Sequence, residues 1–325
     1  MFPEEIKSPI AKEFCAFEES YKDLFQSENP LLRSIFEQVI LQKGKQIRPI
    51  FLLLIAKLCG EINTKTIFSA AIVEILHMAS LIHDDVIDNT LLRRGKKSIN
   101  AEFSNQIAVL AGDYLLAKVM NLCFEKLEND ELINKCLANL TSELSDGELL
   151  QLYYSNKTEW CQENYFQIIK KKTAALFSTC AKIAAITANA PVETIQKLVL
   201  FGEYLGIIFQ IKDDIFDYSP TINTGKPAFN DIREGKITIP LIYSLEKATD
   251  SEIEFVKNII QEKNFQVENL QTLLSIVQQY KGIELATEKM EEYKKKALDI
   301  LYSFPDSQVR QSLVLITNYI SERKK

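Results

Sequence analysis

Apolar residues recur along this chain in long stretches at helical spacing, separated by short polar segments. Residues 1–30 read as an amphipathic opening helix that stops at Asn29-Pro30, a turn signal. A short helix over 31–41 follows and closes on Lys43-Gly44-Lys45. Gln46-Ile47-Arg48-Pro49 then leads into IFLLLIAKLCG, an apolar run too long for an ordinary strand and ended by Gly60. From Asn63 or Thr64 the stretch TIFSAAIVEILHMASLIHDDVID predicts one long helix carrying both histidines of the chain. A basic loop over 89–97 precedes further helices over 106–127, 131–154 and 162–190. Beyond Pro191 a helix holds Gly202 and Gly206, whose spacing lets another backbone approach closely. Residues 218–240 contain three prolines and two glycines and read as a long functional loop. Charged amphipathic helices complete the chain.

Composition agrees with this pattern. Only ten glycines and nine prolines occur, and no proline lies between Ile50 and Ala190, whereas an all-β chain needs many tight turns. No composition shift marks a linker and no repeat has a solenoid period, so the expected architecture is a single all-α domain over 1–325. The net charge of −6 argues against a nucleic-acid binder. Six cysteines at scattered spacings, with no C-x-x-C pair, read as reduced core residues of a cytosolic protein. The N-terminus lacks the pattern of a signal peptide, and no uninterrupted apolar run reaches the roughly 18 residues of a membrane span, so the expected location is the cytoplasm.

The candidate chemistry centres on Leu81–Gly95, LIHDDVIDNTLLRRG. Asp84 and Asp88 are four residues apart and share a helix face, with Asp85 beside them, and like charges at that spacing repel. No lysine or arginine lies in 79–92, so a bound metal ion is the obvious counter-charge. The same spacing recurs as Asp213-Asp214-Ile-Phe-Asp217, again after an apolar helix. Carboxylates without a histidine or cysteine grouping suit magnesium before zinc, and magnesium is usually shared with substrate phosphate oxygens. Two such clusters facing each other across a bundle could hold a diphosphate through metal ions. A single cluster could equally be a solvated acidic helix end; two of equal spacing favour the metal.

Lys45, Arg48, Arg93, Arg94, Lys172, Lys226 and Lys236 come from separate segments beside helix boundaries or loops. Each alone is ordinary surface charge; together they could serve a phosphate site, and Lys43, Lys45 and Arg48 stand at a helix start, where phosphate binds readily. His77 lies two turns before Asp84 on the same face and can be a ligand or a core histidine. His83 points about 100° away around the helix and reads as structural.

These motifs resemble, in one collinear series from Lys43 to Pro240, the trans-polyprenyl diphosphate synthases. Gly44-Lys-Gln-Ile-Arg48-Pro49 is similar to the family's G-K-x-x-R-P motif. The two aspartate clusters, the first followed by Arg93-Arg94-Gly95, resemble its two aspartate-rich motifs, and Lys172-Thr173 and Gly225-Lys226 to Lys236 fit its remaining phosphate-binding positions. The resemblance implies a large helical bundle of the isoprenoid synthase type around a central cavity, usually a homodimer. Asp84, Asp88 and Asp213 would hold magnesium on an allylic diphosphate, with Asp85, Asp214 and Asp217 supporting, Asp217 as a further metal residue. Arg93, Lys172, Thr173, Gln210, Lys226 and Lys236 would bind that diphosphate. Lys45, Arg48, His77 and Arg94 would bind isopentenyl diphosphate. The catalytic set is then Asp84, Asp88, Asp213, Lys172 and Lys226.

Ala79 and Ser80 stand five and four residues before Asp84, where short-chain relatives commonly carry a bulky aromatic. The resemblance thus implies a long-chain product, of the heptaprenyl or octaprenyl type that supplies quinone side chains, from a primer such as farnesyl diphosphate. Close helix packing also explains small residues there. The alternatives are a short-chain farnesyl or geranylgeranyl diphosphate synthase and the catalytic subunit of a heteromeric synthase.

Overall fold

Pro9 interrupts the opening helix that the apolar spacing predicts. α1 (Glu4–Lys7) passes through a 3-10 turn (Ser8–Ile10) into α2 (Ala11–Asp23), because proline removes a backbone donor. Pro30 starts a helix rather than stopping one. It occupies the first turn of α3 (Pro30–Leu41), and the Asn29 side chain accepts from the Leu31 and Leu32 N–H groups. The chain continues through α4 (Ile47–Cys59) and α5 (Thr64–Ile87). Asn63 and Thr66 form a capping box at the start of α5, and the Asn63 amide also donates to the Thr187 carbonyl at 2.8 Å. The segment read as a loop at 89–97 contains a small hairpin, β1 (Leu92–Arg93) and β2 (Lys96–Lys97).

Helices α6 (Ile99–Glu102), α7 (Asn105–Lys126), α8 (Glu131–Ser155) and α9 (Gln162–Ile169) follow. A π-helical turn (Lys170–Ala174) leads into α10 (Ala175–Thr187), and then comes α11 (Val192–Asp217). The expected loop over 218–240 is partly helical, holding α12 (Asn230–Arg233) and the start of α13 (Ile239–Leu245). α14 (Asp250–Gln261), α15 (Val267–Gln279), α16 (Gly282–Tyr302) and α17 (Gln308–Glu322) end the fold.

The computed structural model describes residues 4–42, 44–128, 130–155, 157, 160–218 and 229–323. They fall into two compact units, one of 1–141, 177–202 and 301–316 and one of 142–176, 203–300 and 317–325, with every boundary inside a helix. In the first unit the middle of α4 is apolar on every side, Ile50 to Ala56 being wholly buried, and Phe51 stacks edge-on against Phe177 at 5.7 Å. The second unit has its own core, including Tyr218, Phe229, Ile232, Leu241 and Val256.

The close approach expected at the two glycines of α11 is present. A Cβ on Gly202 would lie 2.6 Å from the Phe177 carbonyl oxygen, and one on Gly206 2.5 Å from the Ala174 Cα. Two expectations need correction. Cys15 is exposed rather than a core residue, although Cys123, Cys136 and Cys180 are buried. By length and composition alone α5, α7 and α11 are each long and apolar enough to cross a membrane. The count of uninterrupted apolar runs missed them because isolated charges such as Glu74 and Asp113 break the runs without making the helices polar. In α5, 72% of the most apolar window is buried inside the protein, against 39% in α7 and 44% in α11, so α7 and α11 leave more of their apolar surface outward than α5 does.

Candidate active site

The first aspartate cluster, in the first unit, is shaped by how α5 ends. Asn89 takes a left-handed conformation (φ 50°), and the Thr90 N–H returns to the Asp85 carbonyl at 2.9 Å, a Schellman ending. Asp84, Asp85 and Asp88 therefore all sit in the last turn, where the helix dipole opposes negative charge. Asp85 is buried and satisfied by Arg93, whose Nε lies 2.9 and 2.8 Å from its two oxygens. Burial pulls the Arg93 guanidinium down, but Asp85, Asp84 and Asp88 outweigh it and hold the group above the usual arginine range. Asp84 and Asp88 remain half-buried.

Arg94 and Gly95 form the two-residue hairpin turn, both left-handed (φ 54° and 76°), with Arg93 paired to Lys96. The Arg94 side chain reaches back to the segment before α4, where Nη1 donates to the Gln42 carbonyl at 2.5 Å. Gly44 makes room for it, since a Cβ there would lie 2.5 Å from the Arg94 guanidinium carbon. No side chain caps the start of α4, where Gln46 is left-handed, and the half-buried Arg48 lies over the Phe177 ring at 5.3 Å. His77 is buried, and burial followed by the charges of Arg48, Arg94 and Arg93 keeps its imidazole well below the ordinary range, hence neutral.

The structure thus gathers Arg48, His77, Arg93 and Arg94, while Lys45 is exposed just ahead of α4. It adds Glu74, which sequence reasoning overlooked. This carboxyl is buried, raised by that burial and countered by Arg48 and Arg94. Its signal was a lone glutamate inside an apolar helix, three residues before His77.

The second cluster, in the second unit, divides its carboxylates among three tasks. Asp214 is buried and accepts from the Tyr165 hydroxyl at 2.5 Å and the Gln210 amide at 2.8 Å; Thr173 in turn donates to Gln210 at 2.7 Å. Burial, then the neighbouring charge of Asp231, pushes the Asp214 carboxyl well above the usual range. Asp217 accepts from the backbone N–H groups of Asn230 and Asp231 at 2.9 and 3.2 Å and so starts α12. Asp213 pairs with Arg323 at 2.8 Å.

Lys236 pairs with Glu234 at 2.6 Å. Lys172 sits in the π-helical turn, an irregularity common at functional sites, where it pairs with Glu148 and donates to Gln151 at 3.2 Å. Glu148 and Gln151 also went unread in the sequence, whose one hint there is a glycine, Gly147, inside a helical stretch; in the structure a Cβ on Gly147 would lie 2.8 Å from the Lys172 backbone nitrogen. Lys226 lies outside the described residues.

Among the described residues no three histidine, cysteine, aspartate or glutamate side chains form a ready-made metal site. That donor set, half-buried carboxylates in ones and twos, fits magnesium, which completes its shell with water and phosphate oxygens. On α5, Ala79 is wholly buried and the Ser80 hydroxyl donates to the His77 carbonyl at 2.8 Å.

Comparison with known proteins agrees with this arrangement. The sequence model of the family described as polyprenyl synthetase matches residues 29–277. The chain is 36% identical over 324 residues to the all-trans-nonaprenyl-diphosphate synthase (geranyl-diphosphate specific) of Rhodobacter capsulatus, covering 99% of this chain and 98% of that protein. Its fold superposes on the crystal structure of a decaprenyl diphosphate synthase from Rhodobacter capsulatus with a TM-score of 0.93, at 31% identity and 98% coverage of both chains. The geranylgeranyl pyrophosphate synthase of Bacteroides thetaiotaomicron superposes with a TM-score of 0.83, at 37% identity and 98% coverage of both. A match that spans both aspartate clusters and nearly the whole fold leaves one conclusion: the chain belongs to the polyprenyl synthetase family and is a prenyltransferase of the isoprenoid synthase fold.

Proposed function

We propose that the protein condenses isopentenyl diphosphate with an allylic diphosphate, farnesyl diphosphate among the primers, to make a long-chain all-trans polyprenyl diphosphate. The observation that carries this reading is the set of arginines around a neutral histidine beside the first aspartate cluster. Arg48 and Arg94, with Lys45 at the edge, suit the diphosphate of the incoming five-carbon unit. A neutral His77 can hydrogen-bond that diphosphate without adding another charge to a site that already holds three arginines. Glu74 offsets part of their mutual repulsion while the site is unfilled.

Asp84, Asp88 and Asp213 would hold magnesium on the allylic diphosphate, with Asp217 as a further candidate; when bound, the metal neutralises charge on the departing group, so the carbon–oxygen bond ionises without a protein nucleophile. Lys172, steered by Glu148 and Gln151, and Lys236 would reach the same diphosphate, as would Lys226. Asp85 and Asp214 have structural tasks, fixing the hairpin and anchoring the end of α11. The allylic cation is attacked by the double bond of isopentenyl diphosphate, and the released pyrophosphate takes the proton that is lost. Water would quench that cation, so the step needs a dry, apolar surround; on the turns of α5 before Asp84 the neighbours Val73, Leu76 and Ala79 are apolar and buried.

The small Ala79 supports a long product, as do the nonaprenyl and decaprenyl relatives; the geranylgeranyl relative keeps a shorter product as the second reading. The test is to incubate the purified chain with magnesium, isopentenyl diphosphate and farnesyl diphosphate and to chromatograph the dephosphorylated products. Thirty carbons or more supports the long-chain reading, and arrest at twenty selects the short one. No elongation by the folded chain alone points to a partner subunit. Asp84→Ala and Asp213→Ala should each lower turnover by about a hundredfold or more while the far-ultraviolet spectrum stays unchanged.

A further inference from the structure

We propose that Arg323, which lies outside every motif described above, makes metal loading at Asp213 depend on diphosphate: it is a resident counter-ion of that carboxylate, so a divalent cation binds weakly there until a diphosphate arrives. The inference rests on the reading of Asp213 as a metal ligand.

Arg323 directly follows α17. One guanidinium nitrogen, Nη2, lies 2.8 Å from Asp213 Oδ1 and donates to the Phe209 carbonyl at 3.0 Å. The guanidinium carbon sits 4.2 Å from the centre of the Phe209 ring and 5.6 Å from that of Phe216. The two partners are unequally fixed. The Arg323 side chain is 10% exposed, whereas that of Asp213 is 43% exposed. Arginine is therefore held by a carbonyl and two aromatic faces whether or not the aspartate engages it.

A metal ion that reaches Asp213 thus meets a fixed positive charge on the same carboxylate. Like charges at that range repel, and partial burial weakens the screening by solvent. A diphosphate reverses the sign of the local field. With several negative charges close by, the guanidinium becomes an attractive neighbour and a donor to phosphate oxygens, and its opposition to the metal disappears. Metal and diphosphate then favour each other, and linkage requires the coupling to be mutual.

The experiment measures Mn2+ binding to the full chain by the paramagnetic resonance of the free ion, with and without inorganic pyrophosphate. The proteins compared are wild type, Arg323→Gln, Arg323→Met, Arg323→Lys and Asp213→Asn. Without pyrophosphate, Arg323→Gln should bind Mn2+ about tenfold more tightly than wild type. Arg323→Met, which still packs on the two rings, should behave alike and covers the case in which the glutamine variant does not fold. Arg323→Lys keeps the charge and should restore the wild-type value. Saturating pyrophosphate should abolish the difference between wild type and Arg323→Gln. Equal or weaker binding in both neutral variants without pyrophosphate overturns the proposal. If Asp213→Asn binds Mn2+ as wild type does with saturating pyrophosphate present, the metal reading of Asp213 itself fails; if it then loses the ion while the neutral variants match wild type without pyrophosphate, only the role of Arg323 fails.

Discussion

Gly44 places Arg94 by lacking a side chain. The guanidinium occupies the volume that a Cβ at position 44 would fill, and it is held there by the Gln42 carbonyl. Arginine is long and flexible, so Gly44→Ala should fold with little change in melting temperature but displace the cation. We expect its KM for isopentenyl diphosphate to rise on the order of tenfold with kcat less affected, read by steady-state kinetics; an unchanged KM would remove Arg94 from that subsite. His77 gives a second test at this scale. Its imidazole is held below the ordinary range in the folded state, so its contribution to stability is present above the unfolded-state value and is lost as pH falls towards the folded one. Denaturant melts at about pH 7.5 and about pH 5.5 should show wild type losing stability relative to His77→Gln on acidification. A pH-independent difference would mean that the histidine titrates normally.

Helix ends decide what each aspartate does. The Schellman ending of α5 stacks three carboxylates in a turn already unfavourable to them, and Arg93 relieves Asp85 by a buried pair while its charge also acts on Asp84 and Asp88. At the end of α11 the same sequence spacing has a different outcome: Asp214 turns inward to Tyr165, and Asp217 caps α12. Equal spacing therefore did not give equal environments. The π-helical turn between α9 and α10 supplies Lys172 and Thr173, and α11 comes close to it through Gly206. Gly206→Ala would push a methyl group against the Ala174 backbone, which cannot rotate away. We expect a loss of roughly 1–3 kcal/mol in urea denaturation, with near-normal stability ruling out the tight approach.

At the scale of the whole molecule, the outer face of α7 calls for a cover. Leu110, Met120 and Phe124 are 61%, 65% and 64% exposed, too much apolar surface on one helix to leave in water without a reason. A second copy of the chain is the occupant that the homodimer reading supplies. Met120→Glu combined with Phe124→Glu should then convert a dimer to a monomer in light scattering, because charges buried at an interface core are strongly unfavourable; a variant that stays dimeric places the interface elsewhere. Ala79→Phe tests the length of the growing chain at the same scale. It should shorten the product, and an unchanged product length would leave Ala79 a packing residue only.

Helical spacing, the scarcity of glycine and proline and the ordered motifs were enough to determine the all-α class, most helix positions and the family. Those signals are local, arising from side-chain periodicity and from residue types that the chemistry cannot do without. Partnerships were decided by tertiary structure alone. Nothing near Asp213 in the chain announces Arg323, 110 residues away, and no motif marks Glu74 as the carboxylate among Arg48, Arg94 and His77. The reason is physical. A side chain's charge state and its partner depend on burial and on which distant backbone passes within a few ångströms, and these are fixed only when helices pack.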